Sequence, residues 1–315
     1  MLRKWPSMSG LFKAVTKPNG CEMMVGQFLD YMRYERNMSP QSVLTYERYL
    51  RDFESFFKGL DETADWKTVD TDIIRDWMEK MLDEGAKATT VNTALSAVRS
   101  FFRFALGRKL VEKDPAHLVE GPKKTKPLPQ FVREKEMDEL LDKMSWGNTL
   151  KDVRARVILI MLYETGIRVS ELTGLDDADV DFTAGQLKVT GKRNKQRIVP
   201  FGEELAAAIQ RYQALRDEQV AKHSGALLLT PEGERMTRAQ VYGIVRKHLS
   251  MVTTLKKRSP HVLRHTFATA MLNNGAGLES VKKLLGHESL ETTEIYTHTT
   301  FEQLKRVYKE AHPRA

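Results

Sequence analysis

A mainly α, two-domain chain is what this sequence predicts, on three observations. Apolar residues recur at i, i+3 and i+4 over long stretches. A Pro- and Lys-rich break interrupts that periodicity between residues 113 and 132. Strand character is carried by two short runs around the turn GKRN, with helices dominating to the end. The chain has 315 residues, 41% of them hydrophobic, which is ample for two cores. The expected division is a flexible extension over 1–20, a helical domain over 21–112, a basic linker over 113–132 and a second domain over 133–315. That second domain should be mixed α/β but mostly helical, with a small β-hairpin sheet.

Each element has a local reason. Pro6, Pro18 and Gly20 break up the first 20 residues, and Met23 or Met24 is an alternative start. Four helical patterns follow. Ser39-Pro40 is an N-cap and first-turn pair opening a helix whose apolar face is Val43, Tyr46, Leu50, Phe53 and Phe57. Ile74, Trp77, Met78, Met81 and Leu82 mark another, stopped by Gly85, and Val91, Leu95, Val98 and Phe102 a fourth, capped near Thr89. Basic residues on these helices (Arg48, Arg51, Lys87, Arg99 and Arg103) are expected to face outward, where such a face is either simply solvated or suited to a DNA groove. In the break, Pro115, Pro122, Pro127 and Pro129 alternate with Lys123, Lys124 and Lys126, a stiff segment suited to lie along a phosphate backbone. Helices over about 134–144 and 152–165 then lead to Arg168. Strands Gln186–Thr190 and Gln196–Pro200 flank the turn that carries Lys192, Arg193 and Lys195, and so place Lys192 on a mobile tip. A last amphipathic helix, Thr300–Ala311, carries Phe301, Leu304 and Val307.

Composition narrows the function classes. A net charge of +8 and a pI near 9.3 point to an acidic partner such as DNA, although basicity alone also fits ribosomal or membrane-surface proteins. No stretch approaches the 18 or so apolar residues of a membrane span, and the longest apolar run, Val157–Tyr163, reads as buried helix. The N-terminus lacks a sustained apolar segment, so no signal peptide is expected. Cys21 is the single cysteine, which excludes an internal disulfide and fits a reducing, cytoplasmic setting.

The most informative stretch runs from His261 to His298. Arg264 follows His261 by three residues, His287 comes 23 later and Tyr296 nine after that. Upstream, Arg168 lies in ETGIRVSEL, and Lys192 follows it by 24 residues in VTGKRNKQRIVP. This inventory of two fixed cations, a mobile cation, two imidazoles and a phenol suits attack of a tyrosine on a phosphodiester. Guanidinium groups match the non-bridging oxygens in bidentate geometry and stabilise charge as it develops. Tyr296 is the nucleophile in the set, and with an ordinary pKa of about 10 it needs a base or a positive field. The leaving 5′-alkoxide needs a proton, which Lys192 can deliver, while His261 or His287 can accept one or bond an oxygen. No cofactor or metal is called for. His261 and His265 lie four apart, but the residues between them lack the glutamate of a metalloprotease helix. Taken singly, each of these residues is more often a half-buried aromatic or a solvated charge; it is the ordered set that carries the reading.

This set resembles the tyrosine recombinase (phage integrase) family, and more closely its Xer-type members, from about residue 24 onward. The resemblance assigns Arg168, Lys192, His261, Arg264, His287 and Tyr296 to the family's catalytic positions and Glu171 to its acidic position, thought to orient the catalytic groups. The LLGH…TTEIYTH string and the terminal HPRA are particularly Xer-like. Arg193 departs from the glycine the family often has after the lysine, which bears on the hairpin rather than on the lysine. The resemblance implies a two-domain clamp on duplex DNA, with an N-terminal four-helix SAM-like core-binding domain and a C-terminal catalytic domain. It implies strand exchange through a 3′-phosphotyrosyl link and a Holliday junction, in a homo-tetramer or a hetero-tetramer with a paralogous recombinase. Chromosome dimer resolution at a dif-like site is the expected task, with a septal DNA translocase as a candidate activating partner. It also favours docking of the last helix into a neighbouring protomer, with docking on its own domain as the alternative.

Three other readings stand beside this one. A mobile-element integrase shares the chemistry, although the roughly 22 residues before the first helix are too few for a folded arm-binding domain. A type IB topoisomerase uses similar residues but fits the C-terminal motifs less well. A non-catalytic DNA-binding protein would not need the complete set.

Overall fold

The computed structural model describes residues 20–124, 130–191, 194–221, 224–286 and 298–314. Two compact units emerge, Met1–Pro127 and Leu128–Ala315. The structure is mostly helical with one small antiparallel sheet, as expected.

The first unit holds α1 (Gly20–Asp30), extended by a π-helical turn (Tyr31–Glu35), then α2 (Pro40–Leu60), α3 (Thr71–Asp83) and α4 (Ala88–Gly107). Ser39 caps α2 by accepting a bond from the Ser42 amide at 3.2 Å, and Asp70 caps α3 through the amides of Asp72 and Ile73. Gly85, at φ +84°, ends α3 in a left-handed turn in which the Ala86 amide reaches back to Met81 O. The stripes bury as read, except that Tyr46 is only partly buried at the core's edge and Leu82, counted on the apolar face of α3, is 41% exposed because Ile74, Trp77, Met78 and Met81 already fill the buried arc. The core centres on a residue the periodicity did not reveal. Trp66, in the loop between α2 and α3, packs its ring 4.2 Å from Phe101 and against Phe53, Phe57 and Phe102. The segment after α4 folds back onto it: Ala116 and Val119 are fully buried, and Asn92 donates to Pro122 O at 2.8 Å.

The second unit continues with α5 (Glu134–Asp138) and a π-helical turn (Glu139–Lys143), α6 (Leu150–Thr165), α7 (Val169–Gly174) and strands β1 (Val180–Asp181), β2 (Gln186–Thr190) and β3 (Gln196–Pro200). Helices α8 (Glu203–Gln219), α9 (Arg238–Val252), α10 (Pro260–Asn273), α11 (Leu278–Leu285) and α12 (His298–Ala311) complete it. Its axis is α6, in which every residue from Val157 to Tyr163 is at most 1% exposed. Burial all round is what a central helix requires, so no amphipathic period marks it; α8, α9 and α10 pack around it. The sheet order is β1-β2-β3, and the two-residue β1 is an addition to the expected hairpin. The β2–β3 register pairs Leu187 with Val199 and Val189 with Arg197, and all four are buried. The strand period therefore turns Arg197 inward.

The last helix packs as the alternative reading expected. In the single chain, α12 sits on its own unit, with Leu304, Tyr308 and Ala311 in one core with Phe267, Met271, Val281, Leu284 and Leu285. Leu304 is buried and Val307 packs at the edge; the side chain of Phe301 lies outside the described residues. The tail after α12 is anchored as well. His312 stacks on Tyr308 and Phe267, and burial pushes its pKa down to about 4. Arg314 is paired with Glu204 at 2.6 Å, with Asp142 and with Asp138.

Beneath α12 lies Glu164, fully buried, whose Oε2 accepts a bond from the Tyr308 hydroxyl at 3.5 Å. Burial, and next the Glu204 carboxylate, push its pKa up to about 8. A carboxyl with a raised folded pKa is held neutral. Its contribution to stability is complete below the unfolded value of 4.5 and is lost as pH rises through about 8. Glu164→Gln keeps the shape without the charge. It should stabilise this unit at pH 8 by roughly 4 kcal/mol and give little gain at pH 4. Urea unfolding at the two pH values checks this, and an equal effect at both would count against the assignment.

Candidate active site

The site is assembled around one carboxylate. α6 ends at Gly166, in the left-handed conformation at φ +59°, and the chain turns directly into α7 with Arg168 at its N-cap. Glu171, three residues on, accepts the Arg168 amide on Oε2 at 2.7 Å and the Arg168 Nη1 on Oε1 at 2.9 Å. From β3, Arg197 donates Nη1 to Oε1 at 2.6 Å and Nη2 to Oε2 at 3.0 Å. Glu171 is 1% exposed, so its charge is tolerated only because these donors surround it. Burial raises its pKa, but the bonds and charges of Arg197 and Arg168 outweigh that and hold it below the ordinary carboxylate value.

A third guanidinium joins from α10. Arg264, also buried, donates to Gly166 O and Leu285 O, each at 2.6 Å. Burial, and then the neighbouring Arg168, push its pKa down to about 10, which leaves it charged at neutral pH. The three arginines meet at the end of α11. Arg197 Nε donates to Leu284 O at 3.1 Å, Arg264 to Leu285 O and Arg168 Nη2 to Gly286 O at 3.1 Å. The last carbonyls of a helix lack intrahelical partners and form the negative end of its dipole, so three consecutive acceptors are met by three cations. One carboxylate among three guanidiniums leaves the cluster positive, as an anion site needs.

His261 opens α10 one turn before Arg264, with its ring 6.4 Å from that of Tyr242. Burial, followed by the charges of His265, Arg264 and Arg168, lowers its pKa, so it is neutral at pH 7 and can accept a proton or a hydrogen bond. Lys192, Arg193, His287 and Tyr296 lie outside the described residues. Their chain neighbours are placed, however. Gly191 closes the base of the hairpin with a 2.7 Å bond from its amide to Lys195 O, and a Cβ on Gly191 would sit 3.4 Å from Glu171 Oε1. Gly286, next to residue 287, lies against Arg197. The structure thus brings together Arg168, Glu171, His261 and Arg264.

In the first unit, Arg48 is exposed, with its guanidinium 4.6 Å from the Tyr49 ring, and it borders a cleft closed by Glu84, Gly85 and Ala86, the turn leading to exposed Lys87. Arg51 pairs with Glu54 at 3.2 Å. Arg103, Lys123 and Lys124 are exposed, as is Lys195 in the second unit. Arg99 is a correction: expected on an outward face, it is half-buried and donates to Ala116 O at 3.2 Å and to Val119 O, because those loop carbonyls have no secondary-structure partner. Arg197 is the important residue that motif reading missed. Its signal was strand alternation, which places it on the same face as Val199. Among the described residues no three metal-ligating side chains are grouped to hold an ion, and no helix is long and apolar enough to cross a membrane.

Comparison with known proteins adds an independent line. Residues 130–303 match the family model described as the phage integrase family, and residues 25–109 match the phage integrase N-terminal SAM-like domain. The chain is 37% identical to the tyrosine recombinase XerC of Chlorobaculum tepidum, over 92% of this chain and 94% of that one. It is 35% identical to the tyrosine recombinase XerD of Oceanobacillus iheyensis, over 93% and 99%. In fold it is similar to the XerH site-specific recombinase bound to a palindromic difH substrate, with TM-score 0.67 and 22% identity over 90% of this chain and 83% of that one.

The arginine lattice makes a prediction about Gly286. Its φ is +63°, and an added Cβ would lie 3.1–3.3 Å from the Arg197 side chain. Gly286→Ala should cost about 1–2 kcal/mol through the left-handed backbone alone, before any displacement of Arg197. Gly174→Ala, where no atom lies within 4 Å of the added Cβ, should not. Chemical denaturation of the two variants compares them directly.

Proposed function

The chain belongs to the phage integrase family and is a site-specific DNA recombinase of the tyrosine type, and from that premise we propose how its own residues carry out the reaction. Tyr296 attacks the scissile phosphate of duplex DNA, forming a 3′-phosphotyrosyl bond as the bond to the 5′-oxygen breaks. The freed 5′-hydroxyl attacks the phosphotyrosyl bond of the partner duplex, releasing the tyrosine. Strands are thereby exchanged through a Holliday junction, and the covalent intermediate conserves the bond energy.

Arg168 and Arg264 stabilise charge on the non-bridging oxygens. Lys192 protonates the leaving 5′-oxygen, and His261 and His287 accept a proton or bond an oxygen. Glu171 positions Arg168. What supports this reading is that Arg168 and Arg264 both donate to the end of α11, next to residue 287, with His261 one turn before Arg264 on α10 and within the field of both cations. Exposed Arg48, Lys87, Arg103, Lys123, Lys124 and Lys195, together with Arg51 and Arg193, serve as contacts to the DNA. The breadth of the match to XerC and XerD proteins supports an Xer-type role, resolving chromosome dimers at a dif-like site within a recombinase tetramer.

Two variants test the chemistry on a nicked suicide duplex. Tyr296→Phe should bind DNA nearly as well as the parent and form no covalent adduct; a persisting phosphotyrosyl band would show that another residue attacks. Lys192→Ala should cleave poorly, yet recover when the 5′-bridging oxygen is replaced by sulfur, since a thiolate leaves without a proton. Equal defects on the two substrates would leave Lys192 as a plain phosphate contact.

A further inference from the structure

Arg197 stands outside the catalytic set described so far, yet each of its three nitrogens donates to a group that set depends on. Its Nη1 and Nη2 hold both oxygens of Glu171, and its Nε holds Leu284 O. Its Cδ, Nε and Cζ lie directly under Gly286, 3.1–3.3 Å from where a Cβ would be. It belongs to β3, paired with Val189 near the end of the hairpin and five residues after Lys192 in sequence.

Consider Glu171 without Arg197. A buried carboxylate would lose two charge-assisted bonds, and the cation left to satisfy it is Arg168, three residues away. Arg168 now gives only Nη1 to that carboxylate, while Nη2 reaches Gly286 O. Bidentate capture by Glu171 would turn the Arg168 fork off the α11 end. Leu284 O would lose its donor at the same time, loosening the turn that leads to His287.

We propose that Arg197 is a positioning residue for strand cleavage: it satisfies Glu171 so that Arg168 stays directed at the scissile phosphate, and it fixes the turn before His287. The inference rests on the catalytic reading above, with Arg168 on a non-bridging oxygen.

Its test is single-turnover cleavage of a nicked suicide duplex, with either a phosphodiester or a methylphosphonate at the scissile position. Methylphosphonate replaces one non-bridging oxygen by methyl and removes the negative charge that Arg168 neutralises. On phosphodiester, Arg197→Ala should slow cleavage by about 10²-fold, the scale of losing one oriented donor, with affinity for the duplex little changed. On methylphosphonate that defect should shrink, in parallel with the defect of Arg168→Ala. Should Arg197→Ala not fold, Arg197→Lys, which keeps the charge beside Glu171 but cannot also reach Leu284 O, carries the same comparison. Equal defects of the Arg197 variant on both substrates, or none on phosphodiester, would overturn the proposal. Absence of any adduct with the parent protein would instead overturn the catalytic reading, so the two failures are distinguishable.

Discussion

Among the described residues, the proposed active site is organised around a single buried carboxylate. Glu171 is nearly inaccessible to water, so its charge would be prohibitively costly without the donors it receives from Arg168 and Arg197. Those bonds work in both directions. The carboxylate is stabilised as an anion, and two long, flexible cations are held in fixed orientations before any ligand arrives. Preorganisation of this kind matters most in a site of low dielectric, where a fixed guanidinium interacts strongly with an incoming phosphate and little reorganisation is needed.

The end of α11 is the complementary constraint. Three carbonyls at a helix C-terminus are poor company for a phosphate, and leaving them bare beside a catalytic anion would oppose binding. Arg197, Arg264 and Arg168 cover them one by one. Gly286 and Gly166 permit this because both take left-handed backbone where side chains press closely: the Arg197 guanidinium over the first, the Phe267 ring 2.5 Å from a Cβ on the second. Replacing any partner would disturb both the cation geometry and the chain path leading to residue 287. The segment is braced from behind by Leu284 and Leu285, which share a core with α12.

Much of this was legible in the sequence, for definite reasons. The helices of the first unit announced themselves through stripes at i, i+3 and i+4 and through the Ser39-Pro40 pair, whereas the Asp70 cap came only from the structure. Val157–Tyr163 stood out because a helix buried on all sides has no polar face. Arg168, Glu171, His261 and Arg264 were identified by type and spacing, and folding gathers them. What the sequence concealed depended on tertiary pairing. Trp66 sits in a loop with no period to reveal its burial. Arg99 looked like a surface charge until loop carbonyls that no helix or strand could satisfy were seen to need it. Arg197 resembled one more basic residue in a basic turn, and only the strand register, opposite buried Val189, turns it inward. The cis docking of α12 used Tyr308, Ala311 and His312 as well as Leu304, and those contacts arise from the whole unit rather than from the helix's own short stripe.

The central claim is that Arg168 and Arg264 are the phosphate ligands and that Glu171 and Arg197 hold them ready. The most direct test is a crystal structure of the Tyr296→Phe variant on a duplex containing its scissile site. The account predicts one scissile phosphate whose non-bridging oxygens accept bonds from Arg168 and Arg264, with Arg197 still paired to Glu171 and Leu284 O. A scissile phosphate held by other cations, or by Arg197 released from Glu171, would contradict it.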